Sequence, residues 1–153
     1  MPGYLLIAPT GTGKSSVRMR NPEFKAISTD GDSLVDWGKC KGVVNWTGPD
    51  RKHLDDILSH MRSEEKCVCW YVGTTAIADA IDEGRLSVAE MVIVLIPEDI
   101  HRQRVEERKK GGHGWTRAKE HRALCDALIE KYQPRVYTSL TKAVNFVVSE
   151  GAR

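Results

Sequence analysis

The sequence predicts an α/β domain in which helices cover both faces of a parallel sheet. Short apolar runs alternate with segments of helical periodicity along the 153 residues, and this alternation is typical of strand–helix–strand units. The run at 91–96 is apolar throughout, as expected for a strand buried on both faces of a parallel sheet. The run at 4–7 leads directly into a glycine-rich turn and a helix. We therefore expect five parallel strands, at 4–7, 24–28, 67–72, 91–96 and 143–148.

The composition predicts one domain spanning residues 1–153. The chain is long enough for a single core and too short for two domains of ordinary size. Hydrophobic residues make up 41% and charged residues 29%, the usual range for a globular protein. The net charge of +2 gives no overall attraction to nucleic acid, which leaves only local basic clusters as candidates.

The compartment is predicted from two features. No apolar run approaches the length of a membrane span, and the first residues lack the basic start and cleavage site of a signal peptide. We expect a cytoplasmic protein that does not engage membranes. The four cysteines fit a reducing compartment: Cys67 and Cys69 alternate along a strand, so they share a face as reduced core residues and do not form a metal clip.

The glycine-rich turn has the pattern of a nucleotide phosphate loop: Ala8-Pro9-Thr10-Gly11-Thr12-Gly13-Lys14-Ser15. Four free positions precede Gly-Lys-Ser, with alanine where the stricter pattern has glycine. A polyphosphate needs several backbone N–H groups turned towards it, and glycine lets the backbone approach closely. Lys14 would reach the outer phosphates, and Ser15 would offer its hydroxyl to Mg²⁺. The alternative is a turn that binds nothing. The residues expected to contact ATP are Thr10, Gly11, Thr12, Gly13, Lys14, Ser15 and Ser16.

Two carboxylates follow the second predicted strand. The helix after the phosphate loop is predicted to stop at Asn21-Pro22, and the strand at 24–28 runs into Asp30 and Asp32. Ligands of α/β sheets bind at the carboxyl ends of the strands, so both carboxylates should lie near the loop. Asp30 is the candidate base that accepts a proton from an attacking hydroxyl, and Asp32 a candidate Mg²⁺ ligand. Asp-Gly-Asp is also good turn chemistry, which is the alternative.

The acceptor side of the site is less readable. Residues 34–47 have no periodicity, and Trp37 would either stack on an acceptor base or pack in the core. After the third strand, Gly73 and Thr74 would touch the acceptor or cap the next helix. Helical spacing predicts one apolar face from Leu54, Ile57, Leu58 and Met61, and a second from Ile77, Ala80 and Ile81 in a helix that ends near Gly84.

Residues 98–117 have the pattern of a mobile basic lid. The helix at 98–110 has almost no apolar face, which indicates that it does not pack into a core. It leads into the glycine-rich hinge 111–114 and a second helix, whose apolar side holds Ala118, Cys125, Leu128, Ile129 and Tyr132. Such a lid would bring arginines onto the transferring phosphate and exclude water. Arg104 and Arg108, on one helical face, are the preferred pair, with Arg102 and Arg117 in reserve; the alternative is a solvated charged helix.

Together these motifs resemble the small P-loop kinases, which include adenylate, shikimate, gluconate and polynucleotide kinases. The resemblance implies a sheet of order 2-3-1-4-5 with a helical lid, Asp30 as the base and Arg104 and Arg108 as lid arginines. Thr29 stands where polynucleotide kinases have a basic residue, which argues against recognition of a 5′ end. Val35 and Asp36 stand where nucleoside monophosphate kinases hold the acceptor phosphate with an arginine, which favours a hydroxyl acceptor.

The sequence therefore predicts an ATP- and Mg²⁺-dependent phosphotransferase that acts on a hydroxyl of a nucleotide or nucleic acid. One alternative within this class is a (deoxy)nucleoside monophosphate kinase or a small-metabolite kinase. The alternative from another class is a nucleotide-binding switch or accessory ATPase without an acceptor. The sequence predicts neither a single acceptor nor an oligomeric state.

Overall fold

The described residues contain a five-stranded, all-parallel sheet in the order β2-β3-β1-β4-β5, which confirms the predicted fold class. The computed structural model describes residues 3–34, 51–70, 75–108 and 114–151. The strands are β1 (Tyr4–Ile7), β2 (Ser28–Asp30), β3 (Cys67–Trp70), β4 (Met91–Val94) and β5 (Arg135–Tyr137). The α-helices are α1 (Lys14–Arg20), α2 (Pro22–Ile27), α3 (Arg51–Ser63), α4 (Ala76–Asp82), α5 (Glu98–Glu107), α6 (Trp115–Tyr132) and α7 (Leu140–Gly151).

The central strand β1 carries the phosphate-loop sequence at its carboxyl end. It pairs with β3, where Ile7 lies opposite Trp70, and with β4, where Ile7 lies opposite Ile93. On the far side of β3, Asp30 lies opposite Cys69. Since all strands run in the same direction, the segments that follow β1, β2 and β4 emerge at one edge of the sheet, the edge where ligands of α/β folds bind.

Two hydrophobic clusters cover the two faces of the sheet. Alternate residues of β1 divide between them: Leu5 and Ile7 pack with α3, α4 and α6, whereas Tyr4 and Leu6 pack with Phe24 and α7. This alternation is the pattern of a sheet buried on both faces. The predicted helix faces are confirmed, because Leu54, Ile57, Leu58 and Met61 of α3 and Ile77 and Ala80 of α4 are buried.

The prediction of a strand at 24–28 was wrong for most of its length. Residues 22–27 form α2, because Pro22 occupies the first helical position and the Asn21 side chain accepts a hydrogen bond from the Phe24 N–H at 3.0 Å. Asn21 therefore ends α1 and starts α2. The strand itself is only the three residues that end at Asp30.

The prediction of a final strand at 143–148 was also wrong. These residues lie in α7, and the fifth strand is the largely exposed β5. The buried residues of α7 are Leu140, Ala143, Val144 and Val147, whose spacing of three and four is that of a helix face. An apolar run of six residues does not by itself distinguish a buried strand from a helix segment.

The structure also tests the predictions made for the cysteines and for the end of α4. Cys67, Cys69 and Cys125 are buried free thiols, and the first two share a cluster as expected from their alternation. Burial raises the pKa of the Cys125 thiol to about 12, so it is protonated at neutral pH. Gly84, the second residue after the end of α4, has a φ of 76°. Within the described ranges, no helix is long and apolar enough to cross a membrane.

Candidate phosphate-binding site

The loop between β1 and α1 is a tight turn built on two glycines in left-handed conformations. Gly11 has a φ of 82° and Gly13 a φ of 107°, values that residues with a Cβ rarely adopt. Thr12 is fully buried and donates its hydroxyl to the carbonyl of Pro9 at 2.7 Å. The glycines and this internal hydrogen bond bend the backbone back on itself before the helix starts at Lys14.

The Lys14 ammonium lies inside the bend of the loop. Its Nζ donates to the carbonyl of Ala8 at 2.7 Å and to that of Pro9 at 3.2 Å. A positive charge is therefore held at the point where the pattern predicts phosphate. Ser15 and Ser16 continue α1, and Ser16 is exposed; the side chain of Ser15 lies outside the described part of the structure.

The expectation that the first lid helix lacks a packing face was wrong. His101 and Val105, four residues apart on α5, are 0% and 4% exposed. Val105 packs against Gly11 so closely that a Cβ on Gly11 would overlap its side chain. The buried face of α5 consists of only these two residues, and the charged residues between them made it undetectable from the sequence. Because this face packs on the phosphate loop, α5 lies against the loop in the structure.

Contact with the loop extends to one of the two preferred arginines. Arg104 donates from Nη1 to the carbonyl of Thr12 at 2.8 Å, which places its guanidinium beside the loop. Arg108 lies exposed just after the end of α5. Arg102 pairs with Glu106 at 2.9 Å on an exposed side of the helix. Residues 109–113, which include most of the predicted hinge, lie outside the described residues.

Thr10 is held through its backbone by two buried histidines that sequence reasoning did not select. His101 Nε2 lies 2.7 Å from the Thr10 carbonyl oxygen, and the Thr10 N–H donates to His121 Nδ1 at 3.1 Å. His121 of α6 is 2% exposed. Arg122 donates from Nη1 to His101 Nδ1 at 3.1 Å and to the Ile96 carbonyl at 2.7 Å. Thr10 was predicted to contact ATP, and in the structure its N–H is directed at a histidine.

His101 has a lowered pKa. Burial is the largest cause, because it disfavours the charged ring, and the positive charges of Arg122, Lys14 and Arg104 act in the same direction. The hydrogen bond to the Thr10 carbonyl opposes these effects. His101 is therefore neutral at neutral pH.

Asp30 lies at the same edge of the sheet as the phosphate loop. It lies opposite Cys69, which in turn lies opposite Leu6, so β2 and β1 are separated by one strand. Two interstrand spacings correspond to about 10 Å. Arg18 of α1 donates to the Ser28 hydroxyl at 2.9 Å and to the Ser28 carbonyl at 3.2 Å, which joins the helix after the loop to β2.

Of the other residues predicted to contact Mg²⁺ or the acceptor, only Asp32 belongs to the described residues. Asp32 belongs to a short 3-10 helix, Gly31–Leu34, that follows β2 directly; its side chain is not described. Trp37, Gly73 and Thr74 lie outside the described residues, so the predicted acceptor pocket stays a prediction. Thr75, at the start of α4, makes no capping hydrogen bond with its side chain.

Comparisons with known proteins show the fold. No family model matches the chain, and no curated protein matches it significantly. A gluconokinase from Sinorhizobium meliloti 1021 superposes with a TM-score of 0.57 at 16% identity, covering 97% of this chain and 89% of that one. A tunicamycin resistance protein from Deinococcus radiodurans gives a TM-score of 0.55 at 12% identity, covering 97% and 95%. The chain therefore shares the five-stranded α/β fold of these two proteins.

Proposed function

We propose that this protein is an ATP-dependent phosphotransferase that moves the γ-phosphate to a hydroxyl of a nucleotide or nucleic acid. The observation that carries the proposal is the loop 8–15, in which two left-handed glycines and an inward-lying Lys14 form a turn suited to a polyphosphate. A Cβ on Gly13 would make ordinary van der Waals contacts at 3.8 Å with Arg104 and Leu140, so the loop is not crowded at that point. The fold, shared with a gluconokinase, is consistent with this activity.

In this proposal the residues around the loop balance the charge of the transferring phosphate. Lys14 exchanges the carbonyls of Ala8 and Pro9 for phosphate oxygens, and Arg104 approaches from α5. Arg108, one turn further along, is the second candidate arginine. Ser15 and Asp32 are the proposed ligands of Mg²⁺, which would neutralise charge on the phosphates.

Asp30 is the proposed base. Its position at the carboxyl end of β2, one strand removed from β1, leaves a span of about 10 Å between carboxylate strand and loop strand. An acceptor hydroxyl held beyond the carboxyl end of β3, between these two strands, would give its proton to the Asp30 carboxylate as its oxygen attacks the γ-phosphate. The bond from the γ-phosphorus to the β-phosphate oxygen breaks in the same step, and ADP is the leaving group. Trp37, Gly73 and Thr74 are proposed to contact the acceptor, because they follow β2 and β3 in the chain.

A small-metabolite kinase is the second candidate, because one solved structure that shares this fold is a gluconokinase. A nucleoside monophosphate kinase is less favoured, since no arginine stands at Val35 or Asp36. A nucleotide-binding switch or accessory ATPase would need the phosphate loop but neither the base nor the lid arginines.

The experiment that tests the proposal is transfer of labelled γ-phosphate from ATP to a panel of acceptors. The panel contains nucleosides, nucleoside monophosphates, sugar acids, and DNA and RNA with free hydroxyls. We expect label on one acceptor class. Lys14→Ala and Asp30→Asn should each reduce transfer by about 10²–10⁴, the range for losing a phosphate-binding cation or a general base.

Matched controls separate these roles from general damage. Lys25→Ala removes an exposed lysine of α2, and Asp79→Asn an exposed carboxylate of α4; both should transfer at the wild-type rate. Label found only as free phosphate, with Asp30→Asn as active as wild type, would contradict phosphotransfer and favour the ATPase. Label on a sugar acid alone would favour the small-metabolite kinase.

A further inference from the structure

The backbone N–H and carbonyl of Thr10 are each held by a side chain, and the two side chains come from different helices. His101 of α5 contacts the carbonyl oxygen at 2.7 Å, and His121 of α6 accepts from the N–H at 3.1 Å. The two histidines lie 91 and 111 residues from Thr10 in the chain. We name His101 and His121 the histidine clamp. Both rings are almost fully buried, so neither exchanges its bond for water.

Hydrogen-bond chemistry assigns one tautomer to each ring. A guanidinium only donates, so His101 Nδ1, 3.1 Å from Arg122, accepts, and its proton lies on Nε2, from where it is donated to the Thr10 carbonyl. A backbone N–H also only donates, so His121 Nδ1 accepts. Each ring is therefore neutral in the clamped state. A proton added at Nδ1 of His101 would face the Arg122 guanidinium, and one added at Nδ1 of His121 would face the Thr10 N–H. In both cases two donors would face each other and the hydrogen bond would be lost.

We propose that the histidine clamp is a pair of positioning residues: it holds the phosphate loop in its nucleotide-binding shape, and releases the loop when His101 is protonated. The inference rests on the proposed function in that it takes a nucleotide as the ligand of the loop. The alternative is a purely structural role, in which the two rings only fill space. In that case, replacing the histidines by side chains that keep the hydrogen bonds but do not titrate would leave the pH dependence of the loop the same as in wild type.

The charges around the clamp set the direction of the pH response. His101 faces three positive groups: Arg122 from α6, Lys14 from α1 and Arg104 from its own helix. It also packs against Trp115, with 5.3 Å between the ring centroids and the two ring planes nearly perpendicular. Burial first and these charges second lower the pKa of His101. The clamp is thus fully formed above the ordinary histidine value of about 6.5, and it is lost only as pH falls through the pKa of His101, which lies below that value.

Side chains of fixed protonation provide the first test. His101→Gln keeps an amide donor near the position of Nε2, and His121→Asn keeps an acceptor near Nδ1. The ATP affinity of the wild type and of the double variant is measured at pH 8 and pH 5.5. We expect wild type to lose at least about fivefold more affinity than the double variant, since a buried hydrogen bond contributes on that order.

The comparison is between variants because the terminal phosphate itself takes up a proton near pH ~6. His60→Gln is the matched control: His60 contacts the Thr29 hydroxyl at 3.0 Å, on α3 and away from the phosphate loop, and this variant should keep the wild-type pH profile. A double variant whose affinity falls with pH as steeply as that of wild type would overturn the proposal.

A second readout does not involve nucleotide. Amide hydrogen exchange at Thr10 and Gly11 is followed by NMR at pH 8 in His101→Leu, His121→Leu and the amide variants. The leucine variants should exchange at least about fivefold faster, and the glutamine and asparagine variants close to wild type. Exchange in the leucine variants equal to wild type would overturn the clamp. If the leucine variants exchange faster but the wild type binds no ATP at pH 8, the clamp is supported and the proposed function is contradicted.

Discussion

Arg104 lies beside the phosphate loop, with its guanidinium 2.8 Å from the Thr12 carbonyl. We expect Arg104→Ala to lower kcat/KM for phosphotransfer by about 10²–10³, the usual effect of removing one preorganised donor to developing charge. The measurement is steady-state transfer with the acceptor identified from the panel. Arg62→Ala is the control, because Arg62 pairs with Glu90 at 3.0 Å, next to the start of β4 at the opposite edge of the sheet. Equal losses in both variants would contradict a role for Arg104.

At the same scale, the sequence predicted the loop residues but not the side chains that hold them. Lys14 and Gly13 belong to a local pattern, so spacing alone identified them. His101 and His121 act on Thr10 across 91 and 111 residues, and no local pattern encodes such a contact. One signal was present: His121 falls in the helical stripe of Ala118, Cys125 and Leu128, all of which are buried, so a polar partner inside the protein was required.

The packing of α5 on the loop leads to a prediction at the scale of elements. Gly11→Ala should lower the free energy of unfolding by roughly 1–3 kcal/mol for the left-handed backbone, and by about 1–3 kcal/mol more because the new methyl overlaps Val105. Urea denaturation measures the sum.

Two further variants separate these contributions. Gly13→Ala has a comparable backbone restriction at a φ of 107°, but its new methyl would have no neighbour nearer than 3.8 Å. This variant should therefore lose only the free energy that is due to the left-handed backbone. Adding Val105→Ala to Gly11→Ala should recover some of the second part, giving a coupling energy of about 1 kcal/mol or more. If the coupling is near zero, α5 does not press on the loop in solution.

Elements were predicted well where apolar periodicity was long and poorly where it was short. The faces of α3 and α4 followed from residues such as Leu54 and Ile77 at regular spacing. The segment before Asp30 has a single fully buried residue, Phe24, which is too little to distinguish a strand from a helix. In α5 the buried pair of His101 and Val105 was masked by charged neighbours, since two positions make no visible stripe.

At the scale of the whole molecule, nucleotide binding should stabilise the fold. ATP with Mg²⁺ at 100 times its dissociation constant should add about 2.7 kcal/mol to the free energy of unfolding. For a chain of 153 residues this corresponds to a rise in Tm of roughly 5–11 °C. Differential scanning calorimetry measures it. Lys14→Ala should show little shift at the same ATP concentration, and a wild-type protein whose Tm ignores ATP would contradict nucleotide binding.

The sheet order 2-3-1-4-5 was implied by the family resemblance and is confirmed by the strand pairing. Sequence alone gives the sequential order of strands, whereas their spatial order depends on pairings such as β1 with β4 that are distant in the chain. The mobility of residues 98–117 and the roles of the individual site residues stay predictions.

The central place of β1 in the sheet has a consequence for synthesis on the ribosome. β1 ends at Ile7, but its neighbours end at Trp70 and Val94. At about 5–20 residues per second, a nascent chain carries this apolar strand unpaired for roughly 3–13 s before its first neighbour is complete, and for roughly 4–17 s before its second. During that time Tyr4–Ile7, all buried in the finished protein, is a candidate segment for chaperone capture. The strand that leads into the phosphate loop is thus made first and enclosed late.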